Sequence, residues 1–363
     1  MNMPLRAAIV GAGRIASTYD DEVVNKRPPE FFQGERRHPG LYTVHPVNHA
    51  EAYRTTPGYE LVAVAGRGPE RLRQFRDRWD VPAYDDTERM LADVRPDVVS
   101  VCVQSAAKAD VTVRIARAGA GVRAIIVEKA MATSMAETDA MIAACDAAGI
   151  QLIVNHPYRF SPMVREAREL IDAGEIGEIG TLSGWSRGGV IHGGTHTFDL
   201  LRFFGGDIVE ISAWGEGGEE WADRGASAMV RYASGAVGLV SLERNAVAGF
   251  DIRGSTGVIE LSTHVGDSWI IRIAPLDPEA KRAYPMVGTR EPIGAAPHSR
   301  STTQRLLEEV RDALLHDAPI ISTGQDGAAA LEAGIATLIS ARERQPVSLP
   351  LAANLRNISI PNR

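Results

Sequence analysis

A glycine-rich turn directly after the first apolar run constrains the fold of this chain more than any other feature. The run RAAIV at residues 6–10 leads straight into GAGRIA at residues 11–16, which has the pattern G-x-G-x-x-A. In this pattern the first glycine permits a tight turn, the second lets a pyrophosphate approach the backbone, and the small last residue lets a helix pack closely on the strand. Strand and helix patterns flank the turn, as a dinucleotide-binding fold requires. We therefore predict a dinucleotide site that includes Gly11, Gly13, Arg14 and Ile15.

The rest of the first 155 residues alternates between short apolar runs and helix patterns. The runs are rich in valine, isoleucine and alanine and are apolar on both faces, which is typical of parallel strands covered by helices. Residues 1–155 are therefore predicted to form an α/β Rossmann domain. Its predicted strands are Arg6–Val10, Glu60–Ala65, Asp97–Val103, Ala124–Glu128 and Gln151–Asn155.

After residue 155 the strand-like runs follow one another in series, so residues 156–363 are predicted to form an α+β domain with a mostly antiparallel open sheet. Ala233-Ser234-Gly235 separates two of the runs as a hairpin turn would. Two helices, predicted at about Thr303–His316 and Gly327–Arg342, close the chain. The predicted strands are Ile179–Trp185, Ile208–Trp214, Ser227–Tyr232, Val237–Leu242, Gly257–Leu261 and Trp269–Ile273.

Composition and charge narrow the possible classes of protein. The chain has 363 residues and a formal net charge of −7, which disfavours nucleic acid or an anionic membrane as a partner because both reward clustered cations. No stretch approaches the length of uninterrupted apolar residues that a membrane span needs. Without a signal peptide, the expected location is the cytoplasm. Cys102 and Cys145 are predicted to be buried, reduced thiols, because neither has the spacing of a metal or redox site.

The end of the second predicted strand bears on the type of dinucleotide. A protein strict for NAD usually has an acidic residue there for the ribose 2′-hydroxyl, whereas this chain has Gly66 followed by Arg67. A cation at this place can pair with a 2′-phosphate, so the sequence favours NADP over NAD. The alternative is that Arg67 is a solvated residue at the entry to the next helix.

A long irregular segment separates the glycine turn from that strand. Residues from about 20 to 46 contain Arg27-Pro28-Pro29, Phe31-Phe32 and several histidines, without regular periodicity. Loops that follow strand ends lie over the binding edge of such sheets. We hypothesise that this insertion is a lid or contacts a substrate, with a passive surface insertion as the alternative.

Four motifs, in order, resemble those of one family over nearly the whole chain. The strand Ala124–Glu128 ends in Glu128-Lys129-Ala130, which resembles an E-K-P motif, and residues 155–162, NHPYRFSP, resemble a G-H-x-x-R-F-x-P crossover. Residues 194–200, GTHTFDL, resemble a G-x-H-x-x-D-L helix start, and residues 324–327, GQDG, resemble the acidic-glycine entry to a last helix. By these motifs the sequence resembles the Gfo/Idh/MocA oxidoreductases, the glucose–fructose oxidoreductase and inositol dehydrogenase group.

The resemblance implies two catalytic residues. Lys129 would hydrogen-bond the reacting oxygen and stabilise negative charge as hydride moves, and both Lys129 and Glu128 would also contact the cofactor. His196 would exchange the hydroxyl proton. Asp199 would orient His196 or Lys129, or would only favour the helix N-terminus electrostatically. The simpler alternatives are a surface lysine and a structural histidine.

Two positions depart from the family pattern. Ala130 stands where the family usually has proline, which removes the φ restriction of that turn but keeps the lysine. His192 stands where the family often has aspartate, and a second imidazole would not raise the basicity of His196. The spacing of these two histidines would suit a metal on a helix, but two glycines lie between them and Thr195 is predicted to be the N-cap. No metal site is therefore predicted.

Three residues of the crossover are further candidates for the site. His156 and Arg159 of the crossover would lie beside the nicotinamide. Tyr158 would donate a hydrogen bond to substrate or would only pack. A structural role is the alternative for each of them.

Together with the resemblance, these residues predict hydride transfer between a nicotinamide and a secondary alcohol or ketone of a sugar, sugar derivative or cyclitol, in a homodimer or homotetramer. The second domain would supply the walls of the substrate pocket and a face for assembly. Two alternatives stay open: redox-neutral glycoside cleavage or elimination with bound NAD, and a non-catalytic regulator that senses a sugar or a dinucleotide. The presence of both Lys129 and His196 argues against the regulator, while the departure at His192 keeps it open.

Overall fold

The structure is a computed structural model that describes residues 3–21, 44–215, 221–263, 268–274, 284, 286–294 and 299–361. These residues form one parallel sheet of six strands and one mixed sheet of nine. This architecture confirms the predicted fold class. The division of the chain at residue 155 stays a prediction, and most of the insertion predicted at about 20–46 lies outside the described residues.

The first sheet contains the strands β1 (Leu5–Val10), β2 (Tyr59–Ala65), β3 (Ala83–Tyr84), β4 (Val98–Val101), β5 (Ala124–Glu128) and β6 (Gln151–Asn155). Their order is β3-β2-β1-β4-β5-β6, and every neighbouring pair is parallel. The five predicted strands are confirmed. However, β4 ends two residues early, because the chain leaves the sheet at Cys102 to enter a helix at Ser105. The strand order reverses between β1 and β4, and ligands bind at the carboxyl ends of such strands.

A π-helix, Arg14–Thr18, follows the glycine turn. The described α-helices are α1 (His49–Thr55), α2 (Pro69–Trp79), α3 (Thr87–Val94), α4 (Ser105–Arg117), α5 (Met135–Ala148), α6 (Pro162–Asp172), α7 (Gly194–Gly205), α8 (Thr302–His316) and α9 (Gly324–Glu343). Both predicted C-terminal helices are therefore present, and α9 begins three residues before its predicted start, where Thr323 and Asp326 form a capping box.

Helix α8 returns to the first sheet, although it follows the second sheet in sequence. Its residues Leu306, Leu307 and Val310 are fully buried in the same core as Ala7 and Ile9 of β1. Their spacing of three to four residues places them on one face of the helix. Helix α8 therefore helps to cover the Rossmann sheet.

The second sheet contains the strands β7 (Ile179–Arg187), β8 (Ile208–Gly215), β9 (Ala226–Tyr232), β10 (Val237–Ser241), β11 (Arg244–Gly254), β12 (Gly257–Ser262), β13 (Ser268–Ile273), β14 (Val287–Ile293) and β15 (Val347–Ser348). Their order is β14-β13-β12-β11-β7-β10-β9-β8-β15. Neighbouring strands are antiparallel except for β7 and β10. The six predicted strands and the hairpin between β9 and β10 are confirmed.

The sequence analysis missed two long strands, β11 and β14. Strand β11 contains Asn245, Gly249 and Asp251, which interrupt an apolar alternation. In β14 only Ile293 is buried, so this edge strand has no apolar face that a sequence pattern can reveal. The sheet therefore has more strands than predicted, with β14 at one edge and β11 between β7 and β12.

The two faces of the second sheet differ. Helices α7 and α9 pack against one face, where Ala228, Val230 and Tyr232 of β9 are buried. The opposite face carries the large apolar side chains Trp214, Met229, Val237 and Leu239, which are exposed. We call these four residues the open-face patch. Patches of this kind on a sheet commonly mark a contact surface.

Cys102 and Cys145 are both buried and free, as predicted. Within the described residues, no helix is long and apolar enough to cross a bilayer. The same residues contain no group of three or more histidine, cysteine, aspartate or glutamate side chains that could hold a metal ion.

Candidate active site

The glycine turn lies where the strand order reverses, and its two glycines serve different purposes. Gly11 has φ +103°, and a Cβ atom there would lie 2.8 Å from the carbonyl carbon and oxygen of Cys102 at the end of β4. A side chain is therefore excluded by both conformation and space. A Cβ atom on Gly13 would meet no described atom within 4 Å, so the backbone is open there to a ligand. This combination fits a bound pyrophosphate.

The other predicted cofactor residues lie around this turn. Arg14 is exposed, with its guanidinium 4.7 Å from the centre of the Tyr19 ring, and Ile15 is half-buried against the first core. Arg67 is exposed just after β2. The preceding Gly66 lies beside the turn, since a Cβ atom on it would be 3.6 Å from the backbone nitrogen of Ala12. The geometry leaves Arg67 accessible to a ligand at the turn.

Lys129 lies at the carboxyl end of β5, and its Nζ donates a 2.7 Å hydrogen bond to the carbonyl oxygen of His192. Burial lowers the pKa of Lys129, while the carboxylates of Glu128 and Asp223 act in the opposite direction. The Lys129–Ala130 peptide bond is cis. The ammonium is therefore fixed by a carbonyl from the second half of the chain, and it loses its proton more easily than an exposed lysine.

A second lysine holds the turn that carries Lys129. Lys108 of α4 is almost fully buried, and its Nζ donates to the carbonyl oxygens of Glu128 (2.7 Å), Lys129 (3.2 Å) and Ala130 (2.7 Å). Burial lowers the pKa of Lys108 to about 8. One ammonium thus satisfies three consecutive carbonyls, which fixes the path of the backbone through the E-K-A motif.

Glu128 is held by a histidine that the sequence analysis did not identify. The carboxylate of Glu128 contacts Nε2 of His49 at 2.8 Å and accepts a 2.6 Å hydrogen bond from the Asn155 amide. Burial alone would raise the pKa of Glu128, but these contacts hold it below its usual value. Burial would lower the pKa of His49, but Cys102 and Glu128 raise it to about 10. His49 and Glu128 therefore each favour the charged form of the other.

His196 lies in the first turn of α7, on the same side of the molecule as the crossover. Its ring meets the Tyr158 ring edge-on, with centroids 4.9 Å apart, and the His156 ring at 5.8 Å. The predicted N-cap is wrong, because α7 begins at Gly194 and Gly193 is its N-cap. Thr195 instead donates from its hydroxyl to the carbonyl oxygen of Ile191 at 2.9 Å.

His192 precedes α7 in a turn, and its side chain is exposed. It contributes its backbone to the site, because its carbonyl oxygen accepts from Lys129 and its N–H donates to Asp223. The helix begins only after His192, so the arrangement of a helical H-x-x-x-H metal site is absent from this described segment.

Asp199, for which an orienting role and a purely electrostatic role were both left open, has Arg159 as its partner in the structure. Its carboxylate forms a buried ion pair with Arg159, with contacts of 2.9 Å from both Nε and Nη2. The same guanidinium lies 3.3 Å from the Asp326 carboxylate at the start of α9. Arg159 and Asp199 therefore lock the crossover to α7 and α9, which supports the structural alternative for Arg159.

His156 lies beside this ion pair and is almost fully buried. Its Nδ1 lies 3.9 Å from the Asp199 carboxylate. Burial nevertheless lowers its pKa, so the imidazole is neutral at pH 7. Lys129 acts on the same ring electrostatically, and the ring also touches His196. His156 therefore packs beside His196 and lies close enough to Lys129 to be influenced by its charge.

The structure thus brings most of the predicted site residues together and adds three. His49 and Asp223 carry no local sequence signal, because their partners lie far along the chain. Lys108 has a weak signal, since the chain has only four lysines and this one lies on the apolar face of a helix pattern. A cation at such a position needs buried acceptors.

The comparisons with known proteins agree with this architecture. A family model described as an oxidoreductase family with an NAD-binding Rossmann fold matches residues 41–156. A second model, described as the GFO/IDH/MocA C-terminal domain, matches residues 183–260. Together the two matches span more than half of the chain. The first begins after the glycine turn, so the assignment of that turn rests on its own geometry.

Individual proteins are similar over different lengths. A D-apiose dehydrogenase from Paraburkholderia graminis is 29% identical over 46% of this chain, and the match spans about half (48%) of that relative. A myo-inositol 2-dehydrogenase from Thermotoga maritima is 26% identical over 83% of this chain and 94% of its own length.

A solved structure shows the same fold. An oxidoreductase from Agrobacterium radiobacter, in complex with NAD+, L-tartaric acid and magnesium, superposes with a TM-score of 0.74 at 18% identity and covers 95% of this chain and 98% of its own. Both domain models match in the expected order, and the strand topology agrees with them. The chain therefore belongs to the Gfo/Idh/MocA family of oxidoreductases.

Proposed function

We propose that this oxidoreductase transfers hydride between a nicotinamide dinucleotide and a secondary alcohol or ketone of a sugar, sugar derivative or cyclitol. The observation that carries the proposal is the contact between Lys129 and the His192 carbonyl, because it holds the ammonium next to the turn from which α7 and His196 start. The relatives named for dehydrogenation of apiose and myo-inositol support a polyhydroxylated substrate.

The chain's own residues fit the cofactor. The backbone of Gly11 and Gly13, with Arg14 and Ile15 after them, would hold the pyrophosphate at the switch of strand order. Glu128, at the carboxyl end of β5 in the same sheet, would also contact the cofactor. When bound, the nicotinamide supplies the hydride acceptor or donor.

The remaining chemistry is proton movement and charge stabilisation. Lys129 would donate a hydrogen bond to the reacting oxygen and stabilise the charge that develops on it. Because burial lowers its pKa, it is also a better proton donor than an ordinary lysine. His196 would take or return the hydroxyl proton. Burial raises the pKa of the Tyr158 hydroxyl, so it stays protonated and can donate to a substrate oxygen.

The exposed Arg67 beside the turn favours NADP. Titrating NADPH and NADH by nicotinamide fluorescence should show that Arg67→Ala raises the Kd for NADPH by about tenfold, because a charge-assisted hydrogen bond to phosphate is lost. The Kd for NADH should not change. Arg73→Ala, which removes an exposed arginine from helix α2, the helix that begins just after Arg67, is the matched control.

Two results would contradict these assignments. Equal effects of Arg67→Ala on both nucleotides would remove the basis for NADP. Failure of the folded wild-type protein to bind either nucleotide would overturn the proposed function itself.

The open-face patch supports a homo-oligomer. Trp214, Met229, Val237 and Leu239 come from three neighbouring strands of the second sheet and share the face opposite α7 and α9. Burial of such a patch against a second copy would remove a large apolar area from water. We propose assembly through this face into a dimer or tetramer.

A further inference from the structure

Lys129 owes its position to a turn that a distant carboxylate holds in place. The carbonyl oxygen that accepts from the Lys129 ammonium belongs to His192, in the turn between β7 and α7. Asp223, about thirty residues further along the chain, places one carboxylate oxygen 2.7 Å from the N–H of Ile191 and the other 2.8 Å from the N–H of His192. Both oxygens thus bind consecutive backbone N–H groups of that turn.

The surrounding residues accommodate this clamp. Val190 also donates its N–H to the carbonyl oxygen of Arg224, at 2.8 Å, so the two segments are paired along several residues. A Cβ atom on Gly189 would overlap the Asp223 carboxylate, so only glycine leaves room for it. The carbonyl oxygen of Ile191 accepts from Thr195 in the first turn of α7. The turn is therefore held on one side by Asp223 and on the other by α7.

Asp223 also contributes charge. Charged and titratable groups face Lys129 from four elements: Glu128 on β5, Lys108 on α4, His156 in the crossover and Asp223 in the segment after β8. His156 is neutral, and Lys108 is a cation whose own pKa Lys129 lowers. Glu128 is already paired with His49 and Asn155. The Asp223 carboxylate is bound by two backbone N–H groups, and after Glu128 it is the second carboxylate whose charge favours the protonated form of Lys129.

We infer that Asp223 is a positioning residue for Lys129: it fixes the carbonyl that orients the ammonium and supplies negative charge that favours its protonated form. The inference rests on the proposed function for its catalytic meaning. The electrostatic part does not depend on turnover, so it can be tested on the protein without cofactor or substrate.

The direct test is the titration of Lys129 itself. The chain has only four lysines, Lys26, Lys108, Lys129 and Lys281, so selective isotope labelling of lysine gives few NMR resonances. The spectrum of Lys129→Met assigns the resonance of interest. In Asp223→Asn this resonance should titrate about one pH unit lower than in the wild type, because a unit of negative charge nearby is lost.

Two further variants make the result decisive. Glu210→Gln is the control, because it also removes one negative charge, but from β8, where Glu210 pairs with Arg231. This variant should leave the pKa of Lys129 unchanged. If Asp223→Asn does not fold, the smaller neutral Asp223→Ser provides the same measurement with the same expected shift. If Lys129 keeps its wild-type pKa in a folded protein that carries either of these neutral residues at position 223, the inference is overturned.

Turnover provides a second and separate readout. If the proposed function holds and the reaction needs protonated Lys129, activity is lost as the pH rises. In Asp223→Asn this loss should begin at a lower pH than in the wild type, with kcat affected more than KM. A wild-type protein that binds no dinucleotide would refute the proposed function but would leave the NMR result to decide on Asp223. A variant whose kcat falls while Lys129 titrates normally would reduce Asp223 to a structural residue and contradict the inference.

Discussion

Lys129→Met is expected to lower kcat/KM by about a thousandfold, because it removes the donor that stabilises charge on the reacting oxygen. The methionine side chain has a similar length, so the turn fixed by Lys108 should keep its path. Dinucleotide binding should change little, since the predicted pyrophosphate contacts lie on β1 and the turn after it. Steady-state kinetics and nucleotide titration of the same preparation measure the two effects separately.

Lys129→Arg separates charge from proton transfer. The guanidinium keeps a positive charge but does not release its proton and has a different shape. We therefore expect this variant to stay impaired, with most of its remaining activity due to electrostatics. Activity of Lys129→Met within tenfold of the wild type would show that another group stabilises the reacting oxygen.

Arg159→Met is expected to lower the free energy of unfolding by about 3–5 kcal/mol, because it leaves the buried Asp199 carboxylate without its cation, whereas Asp326 keeps Arg202. Asp199 is almost fully buried and is bound by Arg159 through two contacts, and Asp326 lies 3.3 Å from the same guanidinium. Burial would raise the pKa of Asp326, but Arg159 and its other partners hold it below its usual value. Urea denaturation of the variant and the wild type measures the loss.

A surface pair gives the matched control. Arg231→Met breaks the pair with Glu210 on the exposed part of the sheet, where we expect a change within about 1 kcal/mol. In the double variant Arg159→Met/Asp199→Asn, part of the loss should be recovered, because one uncompensated charge is gone. Equal small effects of Arg159→Met and Arg231→Met would show that the buried ion pair does not stabilise the fold.

Local sequence signals predicted the parts of the fold and site that depend on neighbouring residues. The glycine turn, Lys129 at the end of β5 and His196 at the start of α7 all depend on short motifs. Strands β1, β2, β5 and β6 were predictable because burial on both faces gives continuous apolar runs. Strand β14 was not, because an exposed edge strand needs no apolar pattern.

Contacts between distant residues explain the remaining differences. Asp199 and His196 are three residues apart, and this spacing suggested an orienting role for Asp199 as one of two open alternatives. The actual partner, Arg159, comes from the crossover forty residues earlier and supplies a cation that the local spacing cannot reveal. Asp223 reaches the His192 turn in the same way, across the segment that forms β8. Sequence spacing alone could not identify either pair.

The most direct test of the central claim is hydride transfer by the purified protein. We expect dihydronicotinamide absorbance to appear when NADP+ or NAD+ is mixed with at least one member of a panel of aldoses, polyols and cyclitols, and to stay absent with Lys129→Met. A substrate that is cleaved or rearranged without net dihydronicotinamide would indicate the redox-neutral alternative. That result, or binding of dinucleotide without turnover of any alcohol or corresponding ketone, would contradict the account.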